Sequence, residues 1–221
     1  MLNKLALIAG AAFVATTIGA ATAQADPSMT FGVTVWTAAT PNAQIGDANQ
    51  QALPTNTIIG SNNLMATATY TGMPNWFDGT QSSNTFAGFT NNGAGFSDIT
   101  YFNGGSGNSV LSTSGFGSVA LFELTFTTNH AFSGTVTHDD GFSLYNAANT
   151  MTLVNSSYPT TATPTNFSVT PGTYNIWYLE ANGAPAALQF SNVNVPEPGS
   201  FALLGTGLVG LGLLLRRRKR A

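Results

Sequence analysis

Residues 132–145 read FSGTVTHDDGFSLY, in which two short runs of strand-forming residues flank an Asp-Asp-Gly step. The first run is Gly134 to Thr137 and the second is Phe142 to Tyr145, and the Asp and Gly between them favour a turn. Residues 171–190 read PGTYNIWYLEANGAPAALQF and repeat this order of strand, polar turn and strand. Here Asn182-Gly183 is a strong signal for the turn of a hairpin. The two stretches together predict neighbouring antiparallel strands.

The rest of the chain between residues 26 and 194 shows the same character. No helical period stands out, whereas apolar and polar residues alternate in several short runs. Residues 42–114 are rich in Gly, Asn, Ser and Thr, which is typical of long loops around short strands. The sequence therefore predicts an all-β fold, an antiparallel β-sandwich. Its further predicted strands cover residues 31–36, 119–127, 165–170, 174–179 and 186–190.

The amino terminus predicts a secretory signal peptide. Lys4 is the only early positive charge, residues 5–18 are apolar or small, and small residues follow where a signal peptidase needs them, with the cut after Ala23 or Ala25. The apolar run is shorter than the roughly 20 residues of a membrane span. The predicted organisation is a signal peptide over 1–25, a β-sandwich ectodomain over 26–194 and a sorting tail over 195–221.

The tail combines a tripeptide, an apolar segment over residues 201–215 and a basic cluster, in that order. It resembles the PEP-CTERM sorting signal, which implies that an exosortase recognises the tripeptide, removes the tail and sends the protein to the cell surface or extracellular matrix, often with exopolysaccharide in a biofilm. The segment predicts a transmembrane sorting helix, inserted transiently in the inner membrane with its basic end in the cytoplasm. The predicted sorting residues are Pro196, Glu197, Pro198, Arg216, Arg217, Arg218, Lys219 and Arg220.

The charges of the ectodomain have one sign. There is no Lys or Arg between Lys4 and Arg216, whereas all nine Asp and Glu residues lie between them, and there is no cysteine. Without basic side chains the ectodomain cannot neutralise phosphates, which excludes nucleic-acid binding. Divalent cations are the obvious electrostatic partners of such a surface.

The two stretches quoted first resemble the β-sandwich domain of the protective-antigen type, found in bacterial toxins, glycosidases and flocculin-type adhesins. Residues 139–141 with 144–145 match the Asp-Asp-Gly and Leu-Tyr part of its signature, and residues 172–174 with 178–180 match the Gly-x-Tyr and Tyr-x-Glu part. In the adhesin branch the paired aspartates bind calcium, a residue of a later loop completes the site and sugar hydroxyls coordinate the ion. An unusual cis peptide joins the two aspartates in the lectin branch.

Carried over by position, the resemblance implies that Asp139 and Asp140 are calcium ligands, that Glu180 is the loop ligand and that Asn182 is a further oxygen donor. Calcium takes about six to eight oxygens, so this donor set suits it. The alternative is an ordinary turn braced by the two aspartates, with Glu180 as a structural partner of backbone amides. Beside the pair, His138 is expected to face solvent at the end of a strand.

Trp76 lies in the region rich in Gly and Asn and is the candidate for an exposed aromatic that stacks on a sugar, together with Asp139 and Asp140 as ligand-binding residues. Trp177 lies within a predicted strand and is expected in the core.

The residues do not predict an enzyme. The ectodomain has no Gly-x-Ser-x-Gly motif, its two histidines, His130 and His138, lack the spacing of metal ligands, and nothing singles out two carboxylates as an acid and a nucleophile. Two functions remain. One is a calcium-assisted carbohydrate-binding module, and the other is a structural surface or matrix protein without a specific ligand.

Overall fold

The computed structural model describes residues 29–80 and 84–194, together with Gly205. The predicted signal peptide, the predicted sorting helix and the sorting residues from Pro196 to Arg220 named above therefore lie outside the described residues, and the predicted domain boundaries stay predictions. None of the helices in the described part of the chain has the length and apolar character needed to cross a membrane.

The described residues are nearly all β-structure, with short helical turns at Ala48–Gln50, Phe86–Phe89 and Ser114–Phe116 in the loops. The strands are β1 (Thr30–Ala39), β2 (Leu64–Thr71), β3 (Asn75–Asp78), β4 (Phe96–Tyr101), β5 (Ser118–Thr128), β6 (Phe132–Asp139), β7 (Gly141–Asn146), β8 (Thr152–Ser156), β9 (Thr163–Val169), β10 (Gly172–Ala181) and β11 (Ala186–Asn194).

The strands form two antiparallel sheets that pack face to face. The seven-stranded sheet has the order β4-β2-β1-β5-β10-β7-β8, and the four-stranded sheet has the order β3-β11-β6-β9. The prediction of an antiparallel β-sandwich is confirmed. The described part of residues 42–114 contributes the strands β2, β3 and β4 among long loops, as its composition indicates.

The main hydrophobic core lies between the two sheets. Alternation along β5 turns Phe122 and Leu124 inward, and β6 and β11 turn Val136 and Leu188 towards them. All four side chains are fully buried. Burial of apolar surface on this scale is the main stabilising contribution to a sandwich of this kind.

A second hydrophobic cluster lies on the outer face of the seven-stranded sheet. Residues 40–63 cover this face, so that Ile58 packs with Leu121 and Leu179 of β5 and β10. Trp36 and Trp177 stack there with their ring centroids 6.0 Å apart. The central strands β5 and β10 are therefore apolar on both faces at this end, and Trp177 is buried as expected.

Three connections carry the chain from one sheet to the other at the same end of the sandwich. They are the Asp139-Asp140 step between β6 and β7, residues 157–162 between β8 and β9, and residues 182–185 between β10 and β11. The strand register brings them together, because Asp139 pairs with Ala187 and His138 pairs with Thr163. We call this end the crossing corner.

The prediction of a hairpin at Asn182-Gly183 is therefore right about the turn but wrong about the pairing of the two strands. Both residues have the positive φ expected of a tight turn, 66° and 82°. However, β10 pairs with β5 and β7, whereas β11 pairs with β3 and β6. The turn joins two sheets, and β11 then runs from the crossing corner to Asn194 at the opposite end, where it pairs with Ser133.

Candidate metal and ligand site at the crossing corner

A cavity of about 520 Å³ opens at the crossing corner. Asp139 and Asp140 form its acidic part, and the peptide bond between them is cis. The rest of the wall consists mainly of small and apolar residues from three connections and two neighbouring loops. The other lining residues are Ile45, Phe116, Pro159, Thr160, Thr161, Ala162, Ala181, Asn182, Gly183, Ala184 and Pro185.

The two aspartates are held close to the protein interior. Asp139 is 6% exposed and Asp140 is 5% exposed. The carboxylate Oδ2 of Asp140 accepts a hydrogen bond of 2.7 Å from the backbone N–H of Ala181, at the end of β10. This bond fixes the Asp140 side chain against the strand that leads into the 182–185 connection, so the acidic pair and that connection form one unit.

Burial changes the acidity of both groups. It raises the pKa of Asp139 to about 6, with a smaller opposing effect from the backbone N–H of Ala162. It raises the pKa of Asp140 to about 8, where the N–H of Ala181 opposes it and the charge of Asp139 adds to it. Since the ectodomain has no Lys or Arg, no cationic side chain of the body offsets these charges. A bound cation would supply the missing compensation.

Glu180 does not line this cavity. Its side chain is fully buried behind the aspartates, and its Oε1 accepts hydrogen bonds from Ser112 Oγ at 2.6 Å and from Asn84 Nδ2 at 3.2 Å. Its Oε2 lies 3.1 Å from the hydroxyl of Tyr178. Burial, followed by the charge of Asp140, raises the pKa of Glu180 well above its ordinary value. The predicted role as a direct calcium ligand does not agree with this placement, because both oxygens already face neutral protein groups.

Asn182 lines the cavity, but its amide oxygen accepts a hydrogen bond of 2.8 Å from the backbone N–H of Gly115. The side chain thus fixes the 182–185 connection to the turn before β5. The second lone pair of this amide oxygen is what remains for its predicted role as an oxygen donor to the ion.

His138 is fully buried, so the expectation that it faces solvent is wrong. Its Nδ1 lies 2.6 Å from the carbonyl oxygen of Asp140 and must donate to it, and its Nε2 lies 2.8 Å from Thr165 Oγ1 and accepts from it. Burial lowers the pKa of the imidazole and so favours the neutral ring. The bond to Asp140 has a smaller, opposing effect on this pKa. His138 therefore positions the backbone of the aspartate pair.

Trp76 is 2% exposed, so its prediction as an exposed stacking platform is wrong. Alternation along β3 turns its indole into the main core, where its ring centroid lies 5.0 Å from that of Tyr70 and 5.7 Å from that of Phe89. Its neighbour Phe77, on the other face of the same edge strand, is 54% exposed instead. The strand β3 is only four residues long and lies between polar loops, so the sequence pattern did not predict it.

The donors at the corner suit calcium only in part. Within residues 29–80 and 84–194, no group of three or more His, Cys, Asp and Glu side chains is arranged to hold a metal ion. Two carboxylates and the backbone carbonyls of the surrounding connections are the hard oxygen donors that calcium prefers. The set fits an ion that completes its shell with water or with oxygens of a ligand, and the cavity has room for both.

Sequence reasoning missed the residues around the aspartates that come from distant loops. Ile45 and Phe116 line the cavity, and Asn84 and Ser112 contact Glu180 from behind. All four lie in or near the loop-rich region of residues 42–114, where no motif distinguishes them. Only three-dimensional placement brings them to the corner.

The fold and the site together define a class of domain, an all-β sandwich with an acidic cavity at one end. Residues 194–219 match the family described as the PEP-CTERM protein-sorting motif. The chain carries this motif and is therefore an exported protein that is sorted to the cell surface by an exosortase, which confirms that the tail is a PEP-CTERM sorting signal.

Two further comparisons were made with curated proteins and with solved structures. No curated protein shows significant sequence similarity to it. Among solved structures, the chain is similar to the crystal structure of the PA14 domain of the MpAFP antifreeze protein, with 10% sequence identity and a TM-score of 0.48, over 78% of this chain and 86% of that chain.

Proposed function

We propose that the ectodomain is a calcium-assisted carbohydrate-binding module that associates with extracellular polysaccharide, and that it is not an enzyme. The observation that supports this most is the pair Asp139 and Asp140, two nearly buried carboxylates side by side in a cavity of about 520 Å³, in a body without a basic side chain. Two such charges disfavour each other and the interior, so a divalent cation is the partner that stabilises both.

In this proposal Asp139 and Asp140 hold the ion with their carboxylates, and carbonyl oxygens of the surrounding connections add to them. Bound calcium would supply open coordination positions that neighbouring hydroxyls of a sugar can fill. The chain's own contribution to the sugar is the apolar wall, where Ile45, Phe116 and Pro185 offer carbon surface to the C–H face of a pyranose ring. The absence of basic side chains favours neutral glycans over polyanionic ones that need direct ion pairs with the protein.

The processing steps complete the proposal. A signal peptidase would remove residues 1–25, and the tail would hold the precursor transiently in the inner membrane until the exosortase removes it. The mature protein would then act at the cell surface or in a biofilm matrix. A structural matrix protein without a specific ligand is the outcome that remains if the corner binds nothing.

The test is a thermal melt of the processed protein, residues 26–195, in calcium and in excess chelator. At a calcium concentration of about 100 times Kd, binding to the native state adds about 2.7 kcal/mol to the free energy of unfolding. For a domain of this size this raises Tm by roughly 5–11 °C. We expect this rise to disappear in Asp139→Asn/Asp140→Asn, along with calcium-dependent retention on the producing cell's own polysaccharide.

The matched control is Glu123→Gln, which changes another carboxylate into an amide. Glu123 lies half-buried on the outer face of the seven-stranded sheet, opposite Thr34 and Trp177, and burial raises its pKa as well. This variant should keep the full calcium response. If the unchanged protein melts at the same temperature in calcium and in chelator, the carbohydrate-binding proposal is wrong and the structural alternative stands.

A further inference from the structure

A series of buried hydrogen bonds runs behind the crossing corner. It links the Asp139-Asp140 step to the connection formed by residues 182–185. We propose that Glu180, Ser112 and Asn84 are positioning residues that hold the Asn182-Gly183 turn at a fixed place relative to the Asp139 backbone, without touching the ion themselves. The inference rests on the calcium site proposed above, and it assigns a role to loops for which the sequence indicates none.

One end of the chain of hydrogen bonds fixes the turn. The backbone N–H of Gly183 donates to Ser112 Oγ at 2.8 Å, and Ser112 Oγ donates to Glu180 Oε1 at 2.6 Å. Gly183 is one of the residues that line the cavity. Its position is therefore set by a serine from the loop before β5, which is 71 residues away in sequence.

The other end fixes the aspartate pair. The hydroxyl of Tyr178 donates to the carbonyl oxygen of Asp139 and lies 3.1 Å from Glu180 Oε2. Tyr178 is fully buried, and its ring stacks on Phe89 at a centroid distance of 5.4 Å. Glu180 thus stands between the group that holds Asp139 and the group that holds Gly183.

Asn84 secures the middle of this arrangement. Its Nδ2 lies 2.9 Å from Ser112 Oγ, 3.1 Å from the Ser112 carbonyl oxygen and 3.2 Å from Glu180 Oε1. Asn84 and Ser112 are each 2% exposed, so water does not compete for these bonds. Two loops of the region 42–114 are in this way tied to β10 next to the cavity.

The geometry separates a positioning role from a ligand role. A glutamine at position 180 can turn its oxygen to Ser112 and Asn84 and its nitrogen to the Tyr178 hydroxyl, whose own hydrogen goes to the Asp139 carbonyl. Every contact of the native side chain is then reproduced without a charge. A direct calcium ligand would not tolerate this change, since the ion would lose a carboxylate.

The experiment compares the calcium Kd, by titration calorimetry, and the Tm in chelator for the processed protein and three variants. Ser112→Ala removes the acceptor of the Gly183 N–H and should weaken calcium binding roughly tenfold, the scale of one lost buried hydrogen bond. Glu180→Gln should bind calcium within about threefold of the unchanged protein, by the same scale. Ser143→Ala is the control, because Ser143 is also fully buried and donates to the carbonyl of Ala52, outside this chain of bonds. It should lower Tm and leave Kd unchanged.

A second readout works without calcium. Amide hydrogen exchange in chelator, followed by NMR, should show the Gly183 N–H exchanging at least roughly tenfold faster in Ser112→Ala, with the amide of Ile176 in the middle of β10 unchanged. Unchanged exchange at Gly183 overturns the inference, and so does a Glu180→Gln variant that loses calcium binding as fully as the aspartate double variant. If the unchanged protein binds no calcium, the proposed function fails, while the exchange result still decides whether these residues position the turn.

Discussion

The crossing corner and the neighbouring aromatic core differ in what surrounds their buried side chains. In the core, Trp76, Phe89 and Phe122 contact one another with ring centroids 5.7–6.1 Å apart. At the corner, Asp139 and Asp140 are almost as well buried, yet no positive side chain of the body compensates their charge. The core is complete without a partner, whereas under the proposed function a bound cation would compensate the two carboxylates of the corner. Sites that disfavour the free protein in this way are typical of functional regions.

The largest expected effect tests the core side of this comparison. Trp76→Ala removes a fully buried indole and should lower the free energy of unfolding by about 3–5 kcal/mol. For a domain of this size the Tm falls by roughly 6–20 °C. Denaturant unfolding measures the loss. The calcium-induced rise in Tm should persist in this variant. If the rise disappeared, Trp76 would contribute to the ligand site despite its burial in the core.

The second effect is smaller and has the opposite sign. In chelator, Asp139→Asn/Asp140→Asn should raise Tm, because the change removes two carboxylates that burial disfavours, and the amide at position 140 can still accept the Ala181 N–H bond. A substitution that stabilises the free protein and abolishes the calcium response distinguishes a functional site from a structural turn. A double variant that is less stable than the unchanged protein in chelator contradicts this view of the corner.

The last prediction concerns the dependence of stability on pH. Folding raises the pKa of Asp139 from 3.8 to about 6 and that of Asp140 from 3.8 to about 8. The folded protein therefore holds these protons more tightly than the unfolded chain does. Their contribution to stability is complete below pH 4 and is lost as the pH rises through about 6 and about 8.

Melts in chelator between pH 4 and pH 9 test this directly, because Tm should fall as the pH rises from about 4 to about 8 and change little above that. Calcium should flatten the profile, and its affinity should increase with pH over the same interval, because the ion displaces the protons. A rise in Tm between pH 6 and pH 8 in chelator would contradict the expected loss of stability on deprotonation of the two aspartates.

Much of this arrangement was predictable from local pattern. The alternation of residues 119–127 lies within β5, the run 174–179 lies within β10, and the Asp-Asp-Gly step ends β6. The sorting motif is local in the same sense, since its tripeptide, apolar segment and basic cluster follow one another directly.

What failed depends on contacts between distant residues. Alternation shows which side of a strand is buried, but it does not show which sheet the strand joins, so the 182–185 turn appeared to be a hairpin. The burial of Trp76 depends on partners such as Phe122, which lies 46 positions further along the chain. The separation of Glu180 from the cavity depends on Asn84 and Ser112, which are 96 and 68 residues away.

The course of β11 also determines how the protein presents its cavity. This strand begins at the crossing corner with Ala186 and ends at Asn194, one residue before the predicted tail. Nine strand residues span about 27 Å. The acidic cavity therefore lies at the opposite end of the sandwich from Asn194, the residue that leads into the predicted tail. Under the proposed function, a precursor held by its tail would present this cavity away from the membrane before the exosortase removes the tail.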